Sequence, residues 1–461
     1  MARLVIASNR VSLPTDRAAQ AGGLAVAMRE TLRQYGGLWF GCSDRISPSP
    51  DAPPETLAAG KVTYVTVPLT RAEHDAYYVG FANGTLWPLF HFRLGLVEYR
   101  RSDYQGYLDV NARLARELKP LLQPDDIVWV HDYHLIPLGR ELRKLGAGNR
   151  IGFFLHTPFP PPDVLVVLPC KDDIVEALCH YDLIGFQTEE GARAFRDYVA
   201  GIAQDSEHGD GAITAFGRRV AVGAFPVGID TAGFVAFARK AVDSPDARRL
   251  KDSMADRSLI IGVDRLDYSK GIPNRFDAIE SLLTQHPEQR RRFSYLQITP
   301  HSRSEVGQYR TLRRELESSA GRVNGKFAEF DWAPVRYVNK SFSRQTLAGF
   351  FRLAQIGLVT PMRDGMNLVA KEYVAAQDPE RPGVLVLSRF AGAASELETA
   401  LLVNPIDVDD IAAALHRGLA MSLEERRERW QAMMDVVSRN TVITWREEFL
   451  AALRHAVALV A

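Results

Sequence analysis

The chain has 461 residues, 46% hydrophobic and 24% charged, and its 56 basic and 56 acidic side chains cancel to a formal net charge of zero. That length exceeds the ~250–300 residues one hydrophobic core supports, so two domains are expected, and the balanced charge argues against nucleic acid as a partner. No run reaches the ~18 apolar residues of a membrane helix, the N-terminus turns polar too early for a signal peptide, and Cys42, Cys170 and Cys179 fit no zinc or disulfide pattern, which together predict a cytoplasmic protein.

Along the chain, short β-branched apolar runs are expected as strands at 4–7, 127–131, 151–156, 183–186 and 222–225, then at 259–263, 295–298, 356–360, 384–388 and 401–403. They are apolar throughout rather than alternating, as in parallel strands buried on both faces. Amphipathic stretches at 23–34, 111–122, 274–285 and 411–420 fall between them, which argues for βαβ units. Segments 44–60 and 204–217, rich in Pro, Ser, Asp and Gly, read as surface loops. The break between the two series lies within 228–253. It predicts an N-terminal Rossmann-like domain at 1–235, completed by a C-terminal helix within 441–461, and a second at 236–440. The fold class is α/β, with two doubly wound parallel sheets. Ligands of such sheets bind at the carboxyl ends of strands, so the site is expected in the cleft between the domains.

The residues that follow strands carry the chemistry. Ser8-Asn9-Arg10 follows the first, and Gly22-Gly23 opens the next helix; glycines let backbone N–H groups approach a phosphate, and Arg10 adds a bidentate contact, although Gly-Gly also simply permits a turn. No dinucleotide or P-loop fingerprint is present. Asp132, in His131-Asp132-Tyr133-His134, is placed to accept hydrogen bonds from sugar hydroxyls, and His156 to donate one, although either run taken singly reads equally well as structural capping; metal ligation by 131–134 lacks a supporting carboxylate or cysteine cluster. Arg265 and Lys270 share one loop before a helix, the make-up of a diphosphate site, the alternative being an Arg–Asp pair with a solvated Lys. Asp364-Gly365-Met366-Asn367 forms a turn before another helix, and Glu372, two turns in, is placed to grip a vicinal diol such as ribose. Asp407-Val408-Asp409 looks like a metal-binding D-x-D but reads as a helix cap.

Taken in order, Ser8–Arg10, Gly22–Leu24, Gly36–Trp39, Leu86–Pro88, His131–His134, 151–160, 264–271 and 361–378 resemble the trehalose-6-phosphate synthases of glycosyltransferase family 20 along essentially the whole chain. The resemblance implies the GT-B fold and a retaining, metal-independent hexosyltransferase that moves glucose from UDP-glucose to glucose 6-phosphate. It implies that Arg10, Tyr78, Trp87, Asp132 and Arg303 bind the acceptor. Gly22, Gly23, His156, Arg265, Lys270, Phe342, Asp364, Gly365, Met366, Asn367, Leu368, Val369 and Glu372 would bind the donor. Arg265, Lys270, His156, Asp364 and Asp132 would carry the catalysis. No cofactor is expected, since UDP-glucose is a substrate, and the partners are these small molecules, with neither nucleic acid nor membrane; a homodimer or homotetramer is compatible with the resemblance. Thr157 departs from the Ile more usual in the family. The alternatives are a sibling enzyme using glycerol 3-phosphate or a cyclitol phosphate, and a catalytically silent sugar-phosphate sensor.

Overall fold

The computed structural model describes residues 2–14, 23–202, 206–207, 211–300 and 307–456. The chain divides into two compact units, the first built from Met1–Pro226 and Trp445–Ala461, the second from Val227–Thr444. The change comes ahead of the 235/236 division read from the sequence. The physical reason is local: the Val227 carbonyl already accepts the buried Lys371 ammonium at 2.8 Å, and Ile229 bridges to Thr441.

Among the described residues the first unit holds β1 (Leu4–Arg10), β2 (Gly37–Ser47), β3 (Glu55–Ala59), β4 (Val62–Thr70), β5 (Ile127–His131), β6 (Arg150–Phe154), β7 (Leu183–Phe186), β8 (Ser206–Glu207), β9 (Ala212–Ala215) and β10 (Arg218–Ala224). They form one sheet in the order β3-β4-β2-β1-β5-β6-β7-β10-β9-β8. The centre, from β4 to β10, is parallel, and antiparallel strands finish both edges. The reading of 44–60 and 204–217 as surface loops is therefore corrected, because β2 runs on to Ser47 and β3 and β9 lie within them. β3 buries none of its residues, so it lacks the apolar run by which central strands announce themselves.

The second unit holds β11 (Ser258–Val263), β12 (Phe293–Ile298), β13 (Val335–Val338), β14 (Ile356–Val359), β15 (Val384–Ser388) and β16 (Leu401–Val403), paired in the order β13-β12-β11-β14-β15-β16, parallel throughout. Counted from β11 this is 3-2-1-4-5-6, the doubly wound order of dinucleotide-type folds. Apolar residues pack on both faces of this sheet, which accounts for the continuous hydrophobic runs.

The last described helix, Val442–His455, belongs with the first unit over most of its length. Phe449 stacks on Trp129 of β5, ring centroids 4.6 Å apart, and meets Phe225 edge-on at 5.2 Å. Gly152 of β6 and Gly185 of β7 leave its slot open; a Cβ at either would stand 2.9 or 2.7 Å from the Phe449 ring. Arg446 donates to Gln34 Oε1 at 3.0 Å, and the Arg150 guanidinium caps the helix end at the Ala456 carbonyl.

Candidate active site

In the second unit the strand order reverses between β11 and β14, and the loops that follow these strands flank the point where open parallel sheets bind ligands. The loop after β11 is organised by Asp267, fully buried, whose Oδ1 accepts the Ser269 N–H at 3.0 Å. Its Oδ2 accepts Tyr309 Oη at 3.3 Å and lies 3.4 Å from Arg265 Nη2. Gly271, with φ of 64°, then turns the chain into the helix Ile272–Gln285. Arg275 on that helix is wholly buried. It donates to Asp264 Oδ2, to Thr360 Oγ1 at 3.0 Å, to Gln297 Oε1 at 3.2 Å and to the Lys270 carbonyl at 2.9 Å. One guanidinium thus ties the Lys270 loop to the ends of β11, β12 and β14. A buried pair such as Arg275–Asp264 adds little net stability, but losing one partner is costly because it strands the other charge.

The loop after β14 is a turn closed on Asp364. Its carboxylate accepts Met366 N–H at 3.4 Å and Asn367 Nδ2 at 3.2 Å, and it accepts a hydrogen bond from the Lys270 ammonium. Asn367, at a φ of 67°, caps the helix Leu368–Ala376 by accepting the Ala370 N–H at 3.3 Å. A non-glycine residue in the left-handed region is strained, and such strain clusters at functional sites. Lys270, Asp364, Gly365, Met366 and Asn367 are therefore one cluster, and Arg265 is held by Asp267 on the same loop as Lys270. Together they offer two cations, a turn of backbone N–H groups and a positive helix end, which suits a diphosphate and an adjoining polyol. Leu368, Val369 and Phe342 are partly buried apolar residues packed against the same core. Glu372 accepts Arg344 Nε at 3.1 Å; burial raises its pKa and Arg344 opposes the rise.

In the first unit β1 and β5 lie side by side at the corresponding reversal. Arg10 ends β1 and pairs with Asp44 at 2.7 Å, with both side chains more than half exposed. Ser8, two residues before it, accepts the Trp39 indole N–H at 2.8 Å and donates to the Arg10 carbonyl at 2.9 Å. Asp132 follows β5 at a φ of 74°, and its Oδ1 accepts the backbone N–H of His156 at 3.3 Å. Tyr78 and Trp87 are joined through the residues after Asp132. Tyr78 stacks on His134 at 5.7 Å, His134 meets Tyr133 at 3.9 Å, and Tyr133 meets Trp87 at 5.7 Å. His156 is 4% exposed, and burial lowers its pKa to about 3. Thr157 beside it is 5% exposed, and its hydroxyl has no hydrogen-bond partner among the described residues.

Gly22 and Arg303 lie outside the described residues; Gly23 begins the helix Gly23–Tyr35. Asp44, Arg275 and Arg344 were not singled out from the sequence. Each acts on a candidate residue from another element, and no local motif marks such a partner. Asp407 caps the helix Val408–Ala420, accepting the N–H groups of Asp409 and Asp410, each at 3.1 Å.

The chain matches the family model for glycosyltransferase family 20 over residues 3–455. It is 51% identical, over 453 residues and 98% of each chain, to the trehalose-6-phosphate synthase of Sinorhizobium fredii (strain NBRC 101917 / NGR234). Among solved structures it is similar to an alpha,alpha-trehalose-phosphate synthase (UDP-forming) from Burkholderia xenovorans in complex with glucose-6-phosphate (TM-score 0.95, 49% identity, 98% of this chain and 100% of that one). It is equally similar to an E. coli chain bound with UDP-2-fluoro glucose (TM-score 0.95, 47% identity, 99% of this chain and 100% of that one).

Proposed function

Since the chain belongs to glycosyltransferase family 20, we propose that it transfers glucose, with retention of configuration, from UDP-glucose to glucose 6-phosphate, giving α,α-trehalose 6-phosphate and UDP. The observation that carries this reading is the cluster in which Lys270 and the turn Asp364–Asn367 converge, with Arg265 on the Lys270 loop, at the switch point of the second sheet. The relatives that hold glucose-6-phosphate and UDP-2-fluoro glucose support both substrates.

As UDP departs, negative charge grows on its outer phosphate. Arg265 and Lys270 stabilise that charge, and their loop is already fixed by Asp267 and Arg275, so little reorganisation is needed. Asp364 and neutral His156 hold glucose hydroxyls, and the turn of Gly365, Met366 and Asn367 lies along the donor. Glu372 takes the ribose diol, with Phe342, Leu368 and Val369 along the nucleotide and Gly22 and Gly23 approaching the donor. Arg10 and Arg303 hold the acceptor phosphate, while Tyr78, Trp87 and Asp132 hold its sugar. Retention through a covalent intermediate needs a carboxylate free to attack. Asp364 is engaged by Lys270 and Asn367, and Asp132 by the His156 backbone, so the reading favours front-face transfer. On that route the leaving phosphate oxygen accepts the acceptor hydroxyl's proton.

No cofactor is needed for these steps. The reading places the enzyme in the cytoplasm, working on small sugar phosphates; among the described residues no helix is long and apolar enough to cross a membrane. The test is incubation of the purified protein with UDP-, ADP- and GDP-glucose against glucose 6-phosphate, glycerol 3-phosphate and a cyclitol phosphate, with product mass and anomeric configuration read out. Trehalose 6-phosphate from UDP-glucose is the expected product. Its absence, or an inverted linkage, overturns the assignment.

A further inference from the structure

β5 and β6 pair in parallel with His131 opposite Phe154, and His156 follows two residues later. That register sets the two imidazoles side by side, with centroids 5.3 Å apart and His131 Nδ1 3.0 Å from His156 Nε2. Both rings are buried, at 0% and 4% exposure, among Trp129, Phe154 and Trp445. Burial drives both pKa values down, so both rings are neutral near neutral pH and each carries one N–H. A bond between two neutral imidazoles therefore has a direction: one ring donates and the other accepts.

His131 Nε2 is buried and has no hydrogen-bond partner among the described residues. If the His131 proton sat on Nε2, a buried N–H would be orphaned, the rarer and costlier of the two outcomes. With the proton on Nδ1, only a lone pair goes unpaired. His131 Nδ1–H then donates to His156 Nε2, which obliges His156 to carry its own proton on Nδ1. We propose that His131 is a positioning residue that sets the tautomer of His156. It leaves His156 with a single N–H, at Nδ1, so that any contact the ring makes with a donor-sugar hydroxyl through that nitrogen is made as a donor. The sugar oxygen is then an acceptor toward His156, never a donor. This rests on the assignment of His156 to the donor sugar, and it adds the polarity of that contact and the residue that imposes it.

Ring-15N histidine labelling of the full chain reads the tautomers directly, with signals assigned by their loss in His131→Asn and His156→Gln. Nδ1-protonated, neutral rings at both positions are expected; a proton on His131 Nε2 overturns the proposal. Kinetics give a second reading. His131→Leu, which cannot donate, should lower kcat/KM for UDP-glucose by about 10–100-fold, the range seen for partners that orient metal-ligating histidines. His131→Asn, whose Nδ2 stands near the lost Nδ1, should recover most of it. Deoxy analogues of UDP-glucose separate positioning from packing. For the analogue on which His156→Ala matches wild type, His131→Leu should match wild type too. An equal loss on every donor, without rescue by His131→Asn, makes His131 structural only and overturns the proposal. If His156→Ala is unimpaired on all donors, the assignment of His156 itself fails, while the labelling still decides the tautomer.

Discussion

The Lys270 ammonium donates a hydrogen bond to the Asp364 carboxylate, joining loops 94 residues apart, and both side chains are only 12% exposed. On the proposed reading Lys270 meets the donor phosphates and Asp364 the donor sugar, so the pair would couple the two halves of one substrate. Lys270→Ala and Asp364→Asn should each lower kcat by ~10²–10³, the size seen when one transition-state donor is lost. The double variant should lose much less than the product of the two, because groups in contact do not act additively. A double-mutant cycle on kcat/KM checks this; strict additivity would mean that the pair is not a functional unit.

The Arg10–Asp44 pair is of a different kind. It is exposed on both sides and so contributes no more than about 1 kcal/mol. A doubly charged phosphate should displace Asp44 from Arg10 with little resistance. Asp44→Asn removes the competitor, so the acceptor KM should fall by up to about fivefold with kcat nearly unchanged. Arg10→Ala should raise the acceptor KM strongly while UDP affinity by calorimetry stays the same. Acceptor-saturation curves distinguish these outcomes.

Asp407 accepts two backbone N–H groups, Asp409 accepts from Ser281 and Gln285, and Asp410 accepts the Asn404 N–H. The acidic run is thus occupied as a helix cap, and activity should persist in excess EDTA. Complete loss, restored by added manganese or magnesium, would contradict the metal-independent reading.

His131 and His156 also set a pH dependence of stability. Both have folded-state pKa values below the unfolded value near 6.5, that of His156 falling to about 3. Below pH 6.5 the unfolded chain binds protons that the folded chain refuses, so stability is full above that pH and declines as pH falls toward 3. Each histidine should shift the folding equilibrium by roughly tenfold per pH unit in that window. Urea unfolding at pH 7, 6, 5 and 4 measures the slope, which should flatten in His131→Asn.

Thr157 buries a hydroxyl that has no partner among the described residues. Such a group costs about 1–3 kcal/mol, so the near-isosteric Thr157→Val should raise the midpoint of thermal unfolding, by several degrees at most in a chain of this size. A lowered midpoint would mean that the hydroxyl finds a partner in solution.

Most strands at the centre of each sheet were legible in the sequence because burial on both faces leaves an unbroken apolar run, as in Val128-Trp129-Val130 or Leu385-Val386-Leu387, but β2 and β4 were not, because Gly41 and Asp44 interrupt the one and Thr63 and Thr66 the other. Nor were the edges. β3 is exposed along its length and carries no such run, and the π-helix Asp75–Leu86 buries Tyr77 and Phe81 with neither a strand's nor an α-helix's period. The candidate site followed the same division. Residues at strand ends, Arg10, Asp132, Arg265 and Asp364, could be picked out because the sheet fixes where loops emerge. Their partners could not: His131 meets His156, and Arg275 meets Asp264, only through strand register and helix packing.

The helix Val442–His455 gives the protein an order of birth. Trp445 and Phe449 complete the core around β5, β6 and β7, yet they are made after the entire second unit. On the ribosome the first unit must wait, with the slot beside Gly152 and Gly185 unfilled and apolar surface showing, while the unit encoded after it can fold. A stop codon or proteolytic nick near residue 440 would therefore damage the half of the molecule encoded first, and residues 1–226 expressed alone should be aggregation-prone until a peptide spanning 442–456 is supplied.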